Sequence, residues 1–169
     1  MLDPVQETLW FYAAADYLVI NAFLWKNEEA LEPCLQIVHS NNAGMIREAE
    51  QQTPETRFAF SGLDCRALYD SYKRRTPPDL SPASKQRMLE QAIADIRLLC
   101  RAARPAEEEM TLLRNVDARF LLYDAPPGST VELLGLTSTS RTGQLIDYGR
   151  QDYRAPAQVP AGRIRPQWG

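Results

Sequence analysis

Two groups of residues in this chain have side chains suited to binding a polar ligand. Ser138, Thr139 and Ser140 form a serine–threonine–serine triplet at the end of an apolar run, and each hydroxyl can both donate and accept hydrogen bonds. Upstream, Arg114 carries a permanent positive charge and can hold two oxygens of a ligand at once. Each group also has a purely structural explanation. The triplet is then the polar end of a strand, and Arg114 pairs with a glutamate at 107–109.

The other reactive residue types form no pattern typical of a site. Cys34, Cys65 and Cys100 lack the short spacing of zinc ligands, so we predict reduced, buried thiols and no metal. The single histidine, His39, has no nucleophile and carboxylate arranged around it, which favours a loop or helix-end position without a catalytic role. The basic run at 73–75 is typical of a solvated helix end rather than a nucleic-acid patch.

Composition and charge limit the classes of partner. The chain has 169 residues, 44% of them hydrophobic, and a net charge of -3, so neither nucleic acid nor an anionic membrane is an expected partner. The apolar stretch 12–25 contains Asp16 and Asn21 and is too short to span a bilayer. The N-terminus shows no secretory signal. We therefore expect a soluble protein that is cytoplasmic, or delivered from the cell without a signal peptide.

The N-terminal part of the sequence predicts helices. Apolar residues recur at helical spacing from Leu9 to Leu31, Pro4 suits the first helical turn, and Pro33 is expected to end or interrupt the helix. A loop at 40–42 and a short helix after it follow, and then a second helical face leads to the basic run. The clearest helix is predicted over 82–104, with an apolar stripe on one side and a proline at its start.

After residue 105 the pattern changes to strands. Met110–Val116 is short and apolar, and 131–134 and 136–139 are also strand-like. Helices followed by strands predict the α+β class. The expected domain is 1–148, with a helical part at 1–105 and strands at 106–148. Residues 149–169 show no hydrophobic period, which predicts a disordered tail.

Taken together, these pieces resemble a known enzyme family. Tyr17 and Asn21 lie four residues apart on one helix face, Arg114 lies on an apolar strand, and the triplet follows a Pro-Gly turn at 126–128. The order is similar to that of the mono-ADP-ribosyltransferases of the arginine–serine–glutamate type, over about residues 10–145. The resemblance implies N-terminal helices followed by a β-sheet core, here incomplete. Tyr17 and Asn21 have a plainer explanation as partners of the core backbone.

The resemblance also implies what each residue does. NAD is the substrate, and its ADP-ribose goes to a protein acceptor. Arg114 is expected to bind the pyrophosphate of NAD, and Ser138 to hydrogen-bond the nicotinamide ribose and steady a catalytic glutamate. Thr139 and Ser140 are expected to support the strand edge. In the family pattern, Tyr17 and Asn21 also belong to the NAD-binding set.

The chain departs from the family pattern at two points. Asn115 follows the strand arginine where the family usually has glycine. No glutamate follows Glu132, and Asp147 and Asp152 are the only later acidic residues. The expected carboxylate, which would stabilise an oxocarbenium-like ribose, is therefore missing. We expect a truncated or frame-shifted transferase domain that is inactive as this chain.

Two alternatives remain open at this point. In the first, the chain is a non-catalytic interaction protein whose amphipathic helices bind a partner, and the triplet is incidental. In the second, it is a degenerate domain that still binds NAD but has no catalytic activity.

Overall fold

A computed structural model describes residues 1–103 with their side chains, together with the backbone of two later strands, Met110–Val116 and Tyr153–Val159. The chain divides into two compact units, Met1–Ala102 and Ala103–Gly169. None of the described helices has both the length and the hydropathy that crossing a membrane requires.

The first unit is a bundle of helices. Six α-helices are described in it, joined in two places by a short π-helical or 3₁₀ turn. In chain order the elements are α1 (Pro4–Phe11), a π-helical turn (Tyr12–Asp16), α2 (Tyr17–Leu24), α3 (Glu28–Gln51), α4 (Pro54–Arg57), a 3₁₀ turn (Ala59–Ser61), α5 (Cys65–Arg75) and α6 (Pro82–Ala102).

Side-chain caps determine where several helices begin. The carboxylate of Asp3 accepts hydrogen bonds from the backbone N–H groups that open α1, next to a proline in the first turn. Thr53 and Asp64 do the same for α4 and α5. Such caps satisfy backbone donors that have no partner inside the helix, and each stabilises by about 1 kcal/mol. Asp3 explains the helix start that the sequence predicted at Pro4, and Ser81, whose Oγ accepts from the Ser84 N–H at 3.4 Å, explains the one predicted at Pro82.

The middle of the unit differs from the prediction. Residues Glu28–Gln51 form one continuous helix that contains both Pro33 and the expected loop at 40–42. The side chain of Asn27 caps it, accepting from the N–H of Ala30 at 3.1 Å. The helix packs against α2 and α5, and this burial outweighs the hydrogen bond lost at the proline and the weaker propensity of the polar residues. Its buried residues are Leu35, Val38, Asn42 and Ala49.

Aromatic residues from separate elements form the core of the bundle. The ring of Tyr72 lies 4.6 Å from that of Phe11 and is stacked on that of Phe58 at 5.3 Å, measured between centroids. The Nε1–H of Trp10 donates to the Tyr72 hydroxyl at 3.0 Å, so the buried phenol keeps a polar partner. Leu68 completes this fully buried group. Burial of each such side chain contributes roughly 1.5–3 kcal/mol.

The α+β class with a sheet core is wrong for the part of the chain that the structure describes. The core described there is formed by helices and the segments that join them, because the aromatic residues of α1, α5 and the segment after α4 fill it without a sheet. The only described strands, β1 (Met110–Val116) and β2 (Tyr153–Val159), form a two-stranded antiparallel pair. A two-stranded pair by itself is at most marginally stable.

The strand predicted over Met110–Val116 is confirmed at its predicted bounds. Its register places Arg114 opposite Ala155 and Asn115 opposite Arg154. Strand β2 lies inside the segment 149–169, for which the sequence predicted a disordered tail. The predicted strands 131–134 and 136–139 lie outside the described residues. So do the parts of the segment 149–169 on either side of β2.

Candidate functional site

A run of three basic residues lies at the end of α5. The last turn of this helix contains Lys73, Arg74 and Arg75. Cations there are favourable because the carbonyl end of a helix carries partial negative charge. The three side chains nevertheless reach very different surroundings. One is buried among carboxylates, one forms an ion pair at the surface, and one lines an open groove.

Arg75 is the buried member. Its Nη2 donates to the Asp16 carboxylate at 2.7 Å and to the Asp95 carboxylate, and Nη1 lies 3.4 Å from Asp95 Oδ1. The side chains of Arg75, Asp16 and Asp95 are only 5%, 12% and 4% exposed. Asp16 ends the π-helical turn Tyr12–Asp16. This turn adds one residue relative to α-helical spacing and so rotates the positions that follow it.

Further hydrogen bonds and a cation–π contact supply partners for the charged groups of this cluster. The Thr8 hydroxyl and the Gln91 amide donate to Asp95 Oδ1 at 3.3 and 3.0 Å. The guanidinium carbon of Arg75 lies 4.2 Å from the centroid of the Phe11 ring, a cation–π distance. Glu7 accepts from Arg74 at 2.6 Å at the exposed edge. Each buried charge therefore has partners.

Burial and pairing act in opposite directions on the titration of the cluster. Burial raises the pKa of Asp16 above its usual value, and the nearby Arg75 only partly offsets this. For Arg75 burial acts to lower the pKa, but the hydrogen bond and charge of Asp95, with those of Asp16, raise it overall. The cavity beside the cluster measures about 20 Å³, roughly the space of one water. We conclude that this closed cluster stabilises the bundle and does not bind a substrate.

Lys73 instead faces an open groove of about 610 Å³ between α3 and the segment that follows α5. His39 and Arg47 line it from α3, and Thr76 and Pro77 from the other side. The Nε2 of His39 lies 2.9 Å from the backbone oxygen of Pro77. Because a carbonyl oxygen can only accept, Nε2 carries the proton, and this bond fixes the ring against the groove wall.

The groove has an excess of positive charge. Within residues 1–103, neither Arg47 nor Lys73 forms an ion pair. The Nζ of Lys73 lies 5.3 Å from the centroid of the Tyr69 ring. The Oγ1 of Thr76 is buried and has no hydrogen-bond partner in the described part of the chain. A polar atom in that position is costly unless something bonds it.

Asp79 follows the groove-lining Pro78 but does not itself line the groove. The carboxylate of Asp79 accepts from the Ser84 hydroxyl at 2.7 Å and from the Ser81 backbone N–H at 3.1 Å. These hydrogen bonds lower the pKa of Asp79 to about 2. The carboxylate is thus ionised at neutral pH and is held by the start of α6.

A second groove is apolar. It measures about 300 Å³ and is lined by Trp10, Met45 and Phe60 among others. Phe60 is 70% exposed, and the centroid of its ring lies 5.9 Å from that of the Trp10 ring. An exposed phenylalanine beside a tryptophan is a feature of protein-binding surfaces.

The residues predicted from the sequence to bind NAD fall in both units. Tyr17 and Asn21 lie on α2 in the first unit, where Tyr17 is partly exposed and its ring lies 6.3 Å from that of Tyr12. Arg114 lies on β1 in the second unit. Ser138, Thr139 and Ser140 lie outside the described residues.

The described residues contain no group of side chains arranged to hold a metal ion. Cys34, Cys65 and Cys100 are free and only partly buried, where the sequence predicted burial. Burial raises the pKa of the Cys34 thiol, which keeps it in the less reactive protonated form.

The Arg75 cluster was not predicted from the sequence, because the whole basic run was expected to be a solvated helix end. A signal was present in the acidic partners. Asp16 interrupts an apolar stretch, and Asp95 lies between the buried positions Ala92 and Ile96 on the inner face of α6. An acidic residue in an apolar stripe is costly to bury without a partner, and a buried cation is one such partner.

Comparison of the chain with protein-family models finds no match, and comparisons with curated proteins and with solved structures find none either.

Proposed function

We propose that this chain is functionally related to the NAD-dependent mono-ADP-ribosyltransferases, which transfer ADP-ribose from NAD to a protein acceptor. In this proposal Arg114 binds the pyrophosphate of NAD and Ser138 the nicotinamide ribose. The observation that carries it is the position of Arg114 within an apolar strand, Met110–Val116, upstream of the serine–threonine–serine triplet.

The register of the strand pair separates Arg114 from the other arginine of the pair. Side chains alternate between the two faces of a strand, and residues directly opposite each other share a face. Arg114 therefore shares its face with Ala155, whose side chain is a single methyl group, while Arg154 lies on the other face opposite Asn115. The strand pair thus contains a second arginine, Arg154, on the face away from Arg114.

The residues after Glu132 include no glutamate, so we do not expect this polypeptide to transfer ADP-ribose. Cleavage of the ribose–nicotinamide bond develops positive charge on the ribose, and an anionic carboxylate close to it is the usual means of stabilisation. The proposal for these 169 residues is thus NAD binding without turnover.

Titration with NAD tests the proposal. We expect Arg114→Ala to weaken NAD binding by about tenfold or more, since it removes a charge-assisted, two-donor contact. Arg154→Ala is the matched control, because it removes the same charge from the opposite face of the same strand pair. If the two variants and the wild type bind NAD equally, or none of them binds it, the NAD function is wrong. Release of nicotinamide by the wild type would show that a carboxylate has been overlooked.

A second candidate function, partner binding by the helical unit, is favoured by the apolar groove at Trp10 and Phe60. Here the helices bind an apolar segment of another protein and the triplet is incidental. The NAD titration separates the two functions, since a partner-binding unit gives the same result for Arg114→Ala and wild type.

A further inference from the structure

We propose that the groove lined by His39, Arg47, Lys73 and Thr76 is a binding site for the phosphate group of a small phosphorylated compound. The site is built entirely from the first unit. It goes beyond the NAD function proposed above, which depends on Arg114 in the second unit.

The first argument is the pair of unneutralised cations. Arg47 comes from α3 and Lys73 from α5, and both side chains are exposed and line the same groove. Neither forms an ion pair within residues 1–103, whereas the neighbouring Glu48 is paired with Arg57. An arginine that offers two donors and a lysine that offers a compact charge are the two side chains that most often hold phosphate.

Helix electrostatics do not explain both cations. Lys73 lies in the last turn of α5, where a positive charge is favourable without any ligand. Arg47 has no such explanation, because the last turn of α3 contains no basic residue and Arg47 precedes it. Arg47 and Lys73 therefore give one groove two positive charges, and none of the described residues that line it is acidic.

The second argument is the set of hydrogen-bonding groups that line the groove. The buried Oγ1 of Thr76 has no partner in the described residues, although almost all buried polar atoms in folded proteins are bonded. A phosphate oxygen accepts from this hydroxyl once the Thr76 side chain turns its buried oxygen toward the groove that it lines. His39 is fixed nearby by its bond to Pro77.

The shape of the groove indicates more than a free ion. Its volume of about 610 Å³ lies within the range of about 300–1,000 Å³ that is typical of sites for small organic ligands. Ala43, Ile46 and Pro78 supply apolar wall beside the cations. A phosphate bound by Arg47 and Lys73 therefore leaves space for an attached organic group.

Calorimetric titration of the full chain with inorganic phosphate, ribose 5-phosphate and ribose tests this inference. We expect ribose 5-phosphate to bind and ribose not to bind. We also expect Arg47→Gln and Lys73→Gln each to weaken ribose 5-phosphate binding by about tenfold, with the wild-type affinity falling as salt increases. Equal affinity for ribose 5-phosphate and inorganic phosphate would assign the site to free phosphate, and tighter binding of the sugar phosphate would assign it to an organic phosphate.

Arg66→Gln is the matched control. The guanidinium carbon of Arg66 lies 5.6 Å from the centroid of the Tyr69 ring, on the same helix and against the same ring as Lys73, but Arg66 does not line the groove. Arg66→Gln and Lys73→Gln thus each remove one positive charge and one contact with the Tyr69 ring. Equal weakening by Arg66→Gln and Lys73→Gln overturns the inference, as does failure of both phosphate compounds to bind the wild type.

Arg114→Ala distinguishes the two proposals. It should leave ribose 5-phosphate binding unchanged while it weakens NAD binding, so either proposal can fail while the other stands.

Discussion

Arg75 and Lys73 lie two residues apart at the end of one helix and have opposite surroundings. Arg75 is almost fully buried and bonds two carboxylates, while Lys73 is exposed and no carboxylate within residues 1–103 pairs with it. Two positions correspond to about 200° around an α-helix, so the two side chains emerge on opposite faces. The basic run is therefore two separate features, one facing the core and the other facing solvent.

The difference follows from the cost of burying charge. A buried cation without partners would be prohibitively unstable, so the chain brings Asp16 and Asp95 to Arg75. An exposed cation is solvated by water and needs no partner, so Lys73 and Arg47 can remain unpaired at little cost. The paired arginine stabilises the fold, and the unpaired cations remain available to an anionic ligand.

The largest expected effect is that of Arg75→Met on stability. Removal of the guanidinium leaves Asp16 and Asp95 as uncompensated buried charges, and such a break typically costs about 3–5 kcal/mol. The measurement is the free energy of unfolding in urea at pH 7. Arg74→Met is the control, because that side chain is 62% exposed, and a change within about 0.5 kcal/mol is expected of a surface position. A similar small loss for both variants would show that the buried cluster does not stabilise the fold.

The two carboxylates of the cluster should respond differently. We expect Asp95→Asn to cost about 1.5–3 kcal/mol at pH 7, because Asp95 accepts charge-assisted bonds from Arg75 and further bonds from Thr8 and Gln91. Asp16→Asn should cost less, since burial raises the pKa of Asp16 and so disfavours its ionised form.

The pH dependence of Asp16→Asn has a defined sign. A group whose pKa is raised in the folded state contributes stability that is fully present below its usual value, here 3.8, and is lost as pH rises through the folded value. The stability advantage of wild type over Asp16→Asn should therefore shrink as the pH rises above 3.8. Urea unfolding of both proteins across this range measures it, and an advantage that grows with pH would contradict the raised pKa.

The sequence predicted features that depend on neighbouring residues. Strand Met110–Val116 and the start of α6 at Pro82 follow from an apolar run and from local helix-start signals. The interruptions expected at Pro33 and 40–42 are wrong because packing of α3 against the bundle overrides local preference. The sheet core was expected from the resemblance, and the described core is helical instead.

The site was harder to predict because it depends on contacts between distant residues. Arg75 meets Asp16 and Asp95 from 59 and 20 residues away, and no local pattern predicts such a meeting. The groove likewise combines His39 and Arg47 with residues that follow α5. Local composition identified the basic run correctly but not which of its members faces inward.

The smallest expected effect is that of Thr76→Val, and it tests the groove directly. Valine has nearly the same shape as threonine but lacks the buried hydroxyl that has no partner in the described residues. We therefore expect the free energy of unfolding without ligand to stay the same or rise by up to about 1 kcal/mol. Ribose 5-phosphate affinity should fall at the same time, because the hydroxyl is a proposed donor to phosphate.

Thr53→Val is the control for this substitution. The Oγ1 of Thr53 accepts from the backbone N–H of Thr56 at 3.1 Å and caps α4, so its loss should destabilise by about 1 kcal/mol. If Thr76→Val lowers stability as much as Thr53→Val does, the Thr76 hydroxyl has a partner within the protein. The hydroxyl would then not be available to a ligand, and the open groove would resemble the buried cluster in having its polar atoms satisfied by the fold itself.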